Sequence, residues 1–142
     1  MKIRLLLLGK TRRAELCVLL DEYVKRIARS CPIEVAEVRS ASAALKRLDA
    51  DRAAIAVLLD ASGVSYDSQS FAKWLGEQRD RGTRELIFIC GDAEGFPAEL
   101  RERVWQKVSL SAMTYSHELA RVMLAEQIYR AFAVLSGSPY PK

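Results

Sequence analysis

The chain has 142 residues, with 22 lysine and arginine residues against 18 aspartate and glutamate residues, a formal net charge of +4. Half of the residues are hydrophobic and 28% are charged, which excludes a disordered, collagen-like or coiled-coil protein. Residues 1–13 contain five of the basic groups and no acid, so the remaining residues carry 17 basic and 18 acidic groups. The basic excess is therefore local, and the length predicts a single domain over residues 1–142.

Cysteine, histidine and hydropathy patterns narrow the class of protein further. The three cysteines are odd in number and lack CxxC spacing, so we expect neither a disulfide framework nor a zinc site. His117 is the only histidine, which argues against a histidine-based metal centre. The apolar run over residues 5–8 is far shorter than a membrane span or the core of a signal peptide. We therefore expect a cytoplasmic protein that needs no metal and contacts no membrane.

Short apolar runs alternate with segments of helical spacing along the whole chain. Leu16, Leu20, Val24 and Ile27 recur at helical spacing, whereas residues 54–59 are apolar throughout, as in a central strand covered on both faces. The alternation predicts an α/β domain with a largely parallel sheet flanked by helices. The predicted strands are Lys2–Leu8, Ile33–Val38, 54–59, 86–90 and 108–110, and the predicted helices are 14–29, 42–49, 68–81, 97–107 and 116–135.

Three loops follow predicted strands at the edge where open parallel sheets bind ligands. They span residues 59–63, 91–95 and 111–116, and the first two contain glycine, which lets a backbone approach a ligand closely. The same residue types also serve ordinary turns, so each loop alone is compatible with either role. The loops contain neither GxGxxG nor GxxxxGK[ST], which leaves a dinucleotide or triphosphate site without support.

Several side chains near these loops have both a functional and a structural interpretation. Asp60 could bind a hydroxyl or act as a base, but capping of the following turn is the favoured interpretation. His117 could be a general base, since the ordinary pKa of histidine lies near neutrality, or a structural residue in the first turn of a helix. The basic N-terminal residues could hold phosphates or form a solvated edge. Tyr140 could stack on a ligand or pack against a partner subunit.

Motifs along the whole chain resemble those of one enzyme family. They include Gly9-Lys10 after the first strand, Leu59-Asp60-x-x-Gly63, Phe88-Ile-x-Gly91-x-Ala-x-Gly95, Ser109-Leu-Ser-x-Met-Thr114 and Glu126-Gln-Ile-Tyr129-Arg130. In this order and at this length, they resemble the bacterial large-subunit rRNA pseudouridine N3-methyltransferases of the SPOUT class. The resemblance implies a C-terminal trefoil knot, a homodimer, and methyl transfer from S-adenosylmethionine to N3 of a pseudouridine in 23S rRNA of the large subunit or assembled ribosome.

The resemblance also implies roles for individual residues. Cofactor contacts are expected from Leu59, Gly91, Leu110, Ser111, Ala112, Met113, Thr114, Tyr115 and Ser116. RNA contacts are expected from Lys10, Arg12, Arg121 and Lys142. His117 and Tyr140 are the candidate catalytic residues, since the N3 proton of the target base has to leave.

Two positions depart from the family pattern. The glycine loop of the family has two adjacent glycines, whereas here Gly91 is followed by Asp92, and the family tail reads His-Pro-Tyr-His where this chain has Ser138-Pro139-Tyr140-Pro141. These departures keep two alternatives open. The chain could be a SPOUT descendant that binds the ribosome without catalysis, or a SPOUT methyltransferase that acts on another RNA.

Overall fold

A computed structural model describes residues 1–92 and 94–140 and confirms the predicted α/β class. Strands and helices alternate throughout that part of the chain, and every strand pairing in the sheet is parallel. In chain order the elements are β1 (Lys2–Leu8), α1 (Ala14–Ile27), β2 (Ile33–Val38), α2 (Ala41–Ala50), β3 (Ile55–Ser65), α3 (Ser68–Asp80), β4 (Glu85–Cys90), α4 (Ala98–Arg103), β5 (Gln106–Ser109) and α5 (His117–Ser136).

The strands form one five-stranded sheet in the order β2-β1-β4-β3-β5. Side chains alternate between its two faces: Leu5 and Leu7 join the core beneath α1, α3 and α5, whereas Leu6 and Leu8 join the core beneath α2 and α4. This double covering explains the uninterrupted apolar runs of the central strands. Because the strands run in one direction, the loops that follow them meet at one edge of the sheet. None of the helices in residues 1–92 and 94–140 is long and apolar enough to cross a membrane.

Strand β3 is longer than the sequence predicts. The predicted loop after residue 59 is an irregularity within the strand, because Leu59 and Val64 both pair with Val108 and the chain between them bulges away. Gly63 makes this return possible. A Cβ atom at that position would lie 2.5 Å from the carbonyl carbon of Lys107 and 2.6 Å from its oxygen. The two segments therefore approach each other more closely than any side chain at Gly63 would allow.

Helix α4 is shorter than predicted. The sequence predicts a helix as far as residue 107, but α4 ends at Arg103 and Val104 is already extended. The backbone N–H of Trp105 donates to the carbonyl oxygen of Ala56 at 2.9 Å, which starts the pairing of β5 with β3. Strand pairing with a segment about fifty residues earlier overrides the local helical preference here.

The close approach at Gly63 predicts an asymmetric effect of two glycine substitutions on stability. Gly63→Ala should lower the free energy of unfolding by about 1–3 kcal/mol, since the new methyl group meets fixed backbone. Gly76→Ala is the matched control, because its Cβ would meet only the flexible end of Leu135 in a helix that favours alanine. Urea unfolding measures both variants. Equal stability of the two proteins would contradict the close approach.

Candidate functional site

A cavity of about 300 Å³ lies at the carboxyl edge of the sheet, between the three loops that follow β3, β4 and β5. This volume is at the lower end of the range for small-molecule sites. The first turn of α5 and Arg101 of α4 complete its wall. The lining residues are Leu59, Asp60, Ala61, Cys90, Gly91, Asp92, Gly95, Phe96, Arg101, Leu110, Ser111, Met113, Thr114, Tyr115, His117 and Ala120.

Most of the residues predicted to contact a cofactor line this one cavity. They are Leu59, Gly91, Leu110, Ser111, Met113, Thr114 and Tyr115. The other two lie beside it: Ala112 is exposed, and Ser116 caps α5 by accepting a hydrogen bond from the backbone N–H of Leu119 at 3.3 Å. Phe96 and Arg101 line the cavity without having been predicted, since nothing in their local sequence distinguishes them from ordinary residues at the start of a helix.

The loop after β5 is shaped by its own hydrogen bonds. The hydroxyl of Ser109 donates to the carbonyl oxygen of Ser111 at 2.9 Å, and the hydroxyl of Ser111 accepts from the backbone N–H of Met113 at 3.0 Å. The Met113 side chain is 76% exposed at the cavity. This loop therefore offers a preformed stretch of backbone and one exposed apolar side chain to a ligand.

The absence of a side chain at Gly91 keeps the wall after β4 open. A Cβ atom there would lie 2.9 Å from Cζ of Phe96, so a larger residue would displace the aromatic ring or fill the cavity. The following turn is closed by Asp92, whose Oδ1 accepts from the backbone N–H of Glu94 at 2.9 Å. Gly95 has a φ of +78°, which favours glycine at the end of this turn.

Asp60 both caps a turn, as favoured from the sequence, and pairs with Arg101. Its Oδ1 accepts from the backbone N–H of Ser62 at 2.9 Å and from the Ser62 hydroxyl at 3.0 Å. Its Oδ2 lies 2.6 Å from Nη1 of Arg101. Burial alone would raise the pKa of Asp60, but the Ser62 hydrogen bonds and the charges of Arg101 and Lys107 outweigh it and lower the pKa. Asp60 is therefore an ionised carboxylate whose charge is balanced by Arg101, and its lowered pKa makes it a poor base.

Cys90 lines the cavity as an uncharged thiol. Burial raises its pKa to about 12, and the nearby charge of Arg121 opposes that rise only in part. A thiol in this state is a weak nucleophile at neutral pH. The site therefore lacks an activated cysteine at this position.

The two candidate catalytic residues lie apart within one chain. His117 lines the cavity, with its side chain 34% exposed. Tyr140 packs instead against the middle of α5. Its hydroxyl donates to Oε1 of Glu126 at 3.2 Å, and its ring lies edge-on to that of Tyr129 with the ring centroids 4.5 Å apart. Burial, together with the neighbouring Tyr23 and Glu126, raises the pKa of Tyr140, so its hydroxyl stays protonated. In this position it is a hydrogen-bond donor remote from the cavity.

The loop between β1 and α1 is held against the start of α5 by two charged side chains. Oε1 of Glu118 accepts from the backbone N–H groups of Arg12 at 2.6 Å and Arg13 at 2.9 Å, which lowers the pKa of Glu118. Arg121, one turn further along, donates from Nη2 to the carbonyl oxygen of Leu8 at 2.6 Å and from Nη1 to the Thr11 hydroxyl at 2.9 Å. These four hydrogen bonds fix the N-terminal loop beside the cavity.

The predicted RNA contacts have different outcomes in the structure. Lys10 and Arg12 are exposed on the loop held by Glu118, next to the helix turn that lines the cavity. Arg121 is fully buried and its guanidinium group is engaged with β1 and the loop after it, so its position lends no support to the expected RNA contact, which stays a prediction. Lys142 lies outside the described residues.

Metal binding finds no support in the described part of the chain. Within residues 1–92 and 94–140 there is no group of three or more histidine, cysteine, aspartate or glutamate side chains that could hold an ion. The acids at the cavity, Asp60 and Asp92, belong to different loops, and the first is already paired with Arg101.

Comparison with known sequences gives matches along the full chain. The family described as "Predicted SPOUT methyltransferase" matches residues 1–141. The "Ribosomal RNA large subunit methyltransferase H" of Koribacter versatilis is 39% identical over 142 residues, which cover 99% of this chain and 97% of that protein. The protein of the same name from Geobacter sulfurreducens is 38% identical, with 99% of each chain covered.

Comparison with solved structures gives the same architecture at low sequence identity. The SpoU methyltransferase AviRb from Streptomyces viridochromogenes, in complex with the cofactor AdoMet, matches with a TM-score of 0.58 and 14% identity. That match covers 96% of this chain but 59% of AviRb, so this chain spans just over half of the larger protein. A probable methylase family protein from Haemophilus influenzae matches with a TM-score of 0.63 and 10% identity, over 99% of this chain and 70% of that one.

The burial of Arg121 predicts a large effect of its replacement on stability. Arg121→Met keeps a long side chain but leaves the carbonyl oxygen of Leu8 and the hydroxyl of Thr11 without a donor, which should cost about 2–4 kcal/mol of unfolding free energy. Arg130→Met on the same helix is the matched control. Its partly exposed pair with Glu126 should contribute less than about 1 kcal/mol. Similar losses in the two variants, measured by urea unfolding, would contradict the anchoring role of Arg121.

Proposed function

The chain belongs to the SPOUT methyltransferase family, and we propose that it transfers a methyl group from S-adenosylmethionine to N3 of a pseudouridine in the 23S rRNA of the large ribosomal subunit. The observation that carries the proposal is identity of 37–39% to large-subunit rRNA methyltransferases over 99% of the chain. The architecture agrees, since the three loops expected to hold the cofactor surround one cavity.

The cavity residues fit S-adenosylmethionine in three respects. The volume of about 300 Å³ suits a small molecule, and Gly91 leaves open a wall that a Cβ would obstruct. The backbone of the loop after β5 offers polar groups for an adenine or an amino acid moiety. When bound, S-adenosylmethionine supplies a methyl group attached to a sulfonium. The sulfur group departs as a neutral thioether, so the transfer needs no metal.

The residues of this chain would orient the target base and remove its N3 proton. Of the two candidate proton acceptors, His117 lies at the cavity and Tyr140 does not, so we propose that His117 takes the proton. Lys10 and Arg12 would hold phosphates at the rim. A domain whose basic excess is confined to its N-terminal residues is poorly equipped to bind naked RNA by charge alone, so we propose an assembled ribosomal site in the cytoplasm as the substrate.

We also propose that the chain forms a homodimer with a C-terminal trefoil knot. Val18 of α1 and Leu119 of α5 are 66% and 39% exposed on neighbouring helices, which supports a partner on this side of the molecule. The knot is proposed from the family resemblance alone, since the close approach of Gly63 to the backbone of Lys107 belongs to the parallel pairing of β3 with β5. Light scattering at micromolar concentration should give twice the chain mass of 15.9 kDa, and the mass of a single chain would contradict the dimer.

The proposed reaction is tested with methyl-labelled S-adenosylmethionine and large ribosomal subunits from a strain that lacks this methylation. We expect label in one nucleoside of 23S rRNA, which mass spectrometry identifies as N3-methylpseudouridine. Gly91→Val, which crowds Phe96 and the cavity, is the inactive control. Label in tRNA would instead favour another RNA substrate. Ribosome binding without any product would favour a non-catalytic descendant, and both outcomes overturn the proposal.

The exposed basic rim predicts a selective effect on substrate binding. The double variant Lys10→Ala/Arg12→Ala should raise KM for ribosomal subunits about 3- to 30-fold and reduce its salt dependence, with unchanged affinity for S-adenosylmethionine. Arg79→Ala/Arg81→Ala removes two charges at the end of α3, on the opposite edge of the sheet, and should leave KM unchanged. Equal effects of the two double variants would contradict a local RNA contact at the rim.

A further inference from the structure

We propose that Asp92 makes the cavity selective for the cationic methyl donor over its neutral product, and so promotes release of S-adenosylhomocysteine after methyl transfer. This inference rests on the proposed function, since it assigns a role to one residue of the same cavity. It follows from the charges that line the wall and from the way the Asp92 carboxylate is held.

The charges on the cavity wall leave one negative charge without compensation. Three of the lining residues are formally charged at neutral pH, Asp60, Asp92 and Arg101, and His117 is counted as neutral. Asp60 and Arg101 cancel each other through their 2.6 Å contact. Within residues 1–92 and 94–140, Asp92 forms no ion pair, so the lining side chains by themselves carry a net charge of −1. The cations Lys107 and Arg121 act on Asp60 and Cys90 from outside this lining, and Asp92 is the acid of the lining that no cation among the described residues pairs with.

The Asp92 carboxylate is fixed at this place by its own turn. Oδ1 accepts from the backbone N–H of Glu94 at 2.9 Å, and the chain closes through the hydrogen bond from the N–H of Gly95 to the carbonyl oxygen of Asp92 at 3.3 Å. An amide oxygen can accept the same hydrogen bond. Asp92→Asn therefore removes the charge while it preserves the contact that shapes the loop.

The ligand loses its net positive charge during the reaction, and with it the attraction of the acidic wall. S-adenosylmethionine carries a sulfonium, an ammonium and a carboxylate, a net charge of +1. When the methyl group passes to N3 of the base and the N3 proton leaves, sulfur keeps the electron pair of the broken bond and becomes a neutral thioether. S-adenosylhomocysteine therefore has no net charge and loses the attraction of Asp92 in a partly enclosed site, where charges act more strongly than in bulk water.

Isothermal titration calorimetry of the full chain tests the proposal with three ligands. Asp92→Asn should weaken binding of S-adenosylmethionine about 5- to 20-fold and change binding of S-adenosylhomocysteine less than about twofold. Sinefungin, with a protonated amine in place of the sulfonium, should follow S-adenosylmethionine. Glu94→Gln is the matched control: it removes one acid from the same turn but outside the cavity wall, and should leave all three affinities unchanged.

Rising salt should also reduce the preference of the wild-type protein for S-adenosylmethionine over S-adenosylhomocysteine, because the attraction is electrostatic. If Asp92→Asn weakens both ligands equally, or neither, the role of Asp92 is overturned while the proposed function stands. If the wild-type protein binds none of the three ligands, the proposed function falls and this inference falls with it. The two failures are thus distinguishable in one set of titrations.

Discussion

The site depends on the attachment of α5 to the end of β1. Arg121 is a fully buried cation whose guanidinium group donates to the last carbonyl of β1 and to the loop beyond it. Leaving the donors of a buried cation without partners costs free energy, so the hydrogen bonds from Nη1 and Nη2 favour one position for the first turns of α5. Within the described residues, Nε of Arg121 has no hydrogen-bond partner. Glu118 adds two backbone contacts from the same face of the helix. The first turn of α5 is consequently fixed relative to the sheet.

The hydrogen bonds of Glu118 and Arg121 bring the cavity wall next to the basic loop between β1 and α1. His117 and Ala120, which flank Glu118 on α5, form part of the cavity wall. The loop that Glu118 and Arg121 hold carries the exposed Lys10 and Arg12. The basic excess of the sequence is thus presented at the rim of a cavity whose wall is slightly acidic. A cationic cofactor and an anionic RNA would meet at this boundary, each beside the charge that suits it.

Local patterns are sufficient to predict the order of elements and the edge of the sheet at which the cavity lies. Apolar runs such as residues 54–59 and helical spacing such as Leu16 to Ile27 are local signals, and parallel strands place their following loops at one edge. The features that were missed depend on contacts between distant residues. The return of β3 to Val108, the early end of α4 and the pairing of Asp60 with Arg101 each join segments about forty or more residues apart. The burial of Arg121 is not predictable from the sequence for the same reason, because its hydrogen-bond partners lie over a hundred residues earlier. A position on a helix alone does not distinguish a buried arginine from an exposed one.

The two candidate catalytic residues, Tyr140 and His117, differ in where the fold places them relative to the cavity. Tyr140 is expected from the resemblance to lie near the chemistry, but within one chain its hydroxyl donates to Glu126 in the middle of α5. His117, one of many polar residues beside a strand end, is the candidate base that faces the cavity.

The central claim is that this cavity holds the methyl donor, and a crystal structure of the protein with S-adenosylhomocysteine tests it most directly. We predict electron density for the ligand between Leu59, Gly91 and the loop after β5. Density at another surface, or an empty cavity at saturating ligand, would contradict the claim.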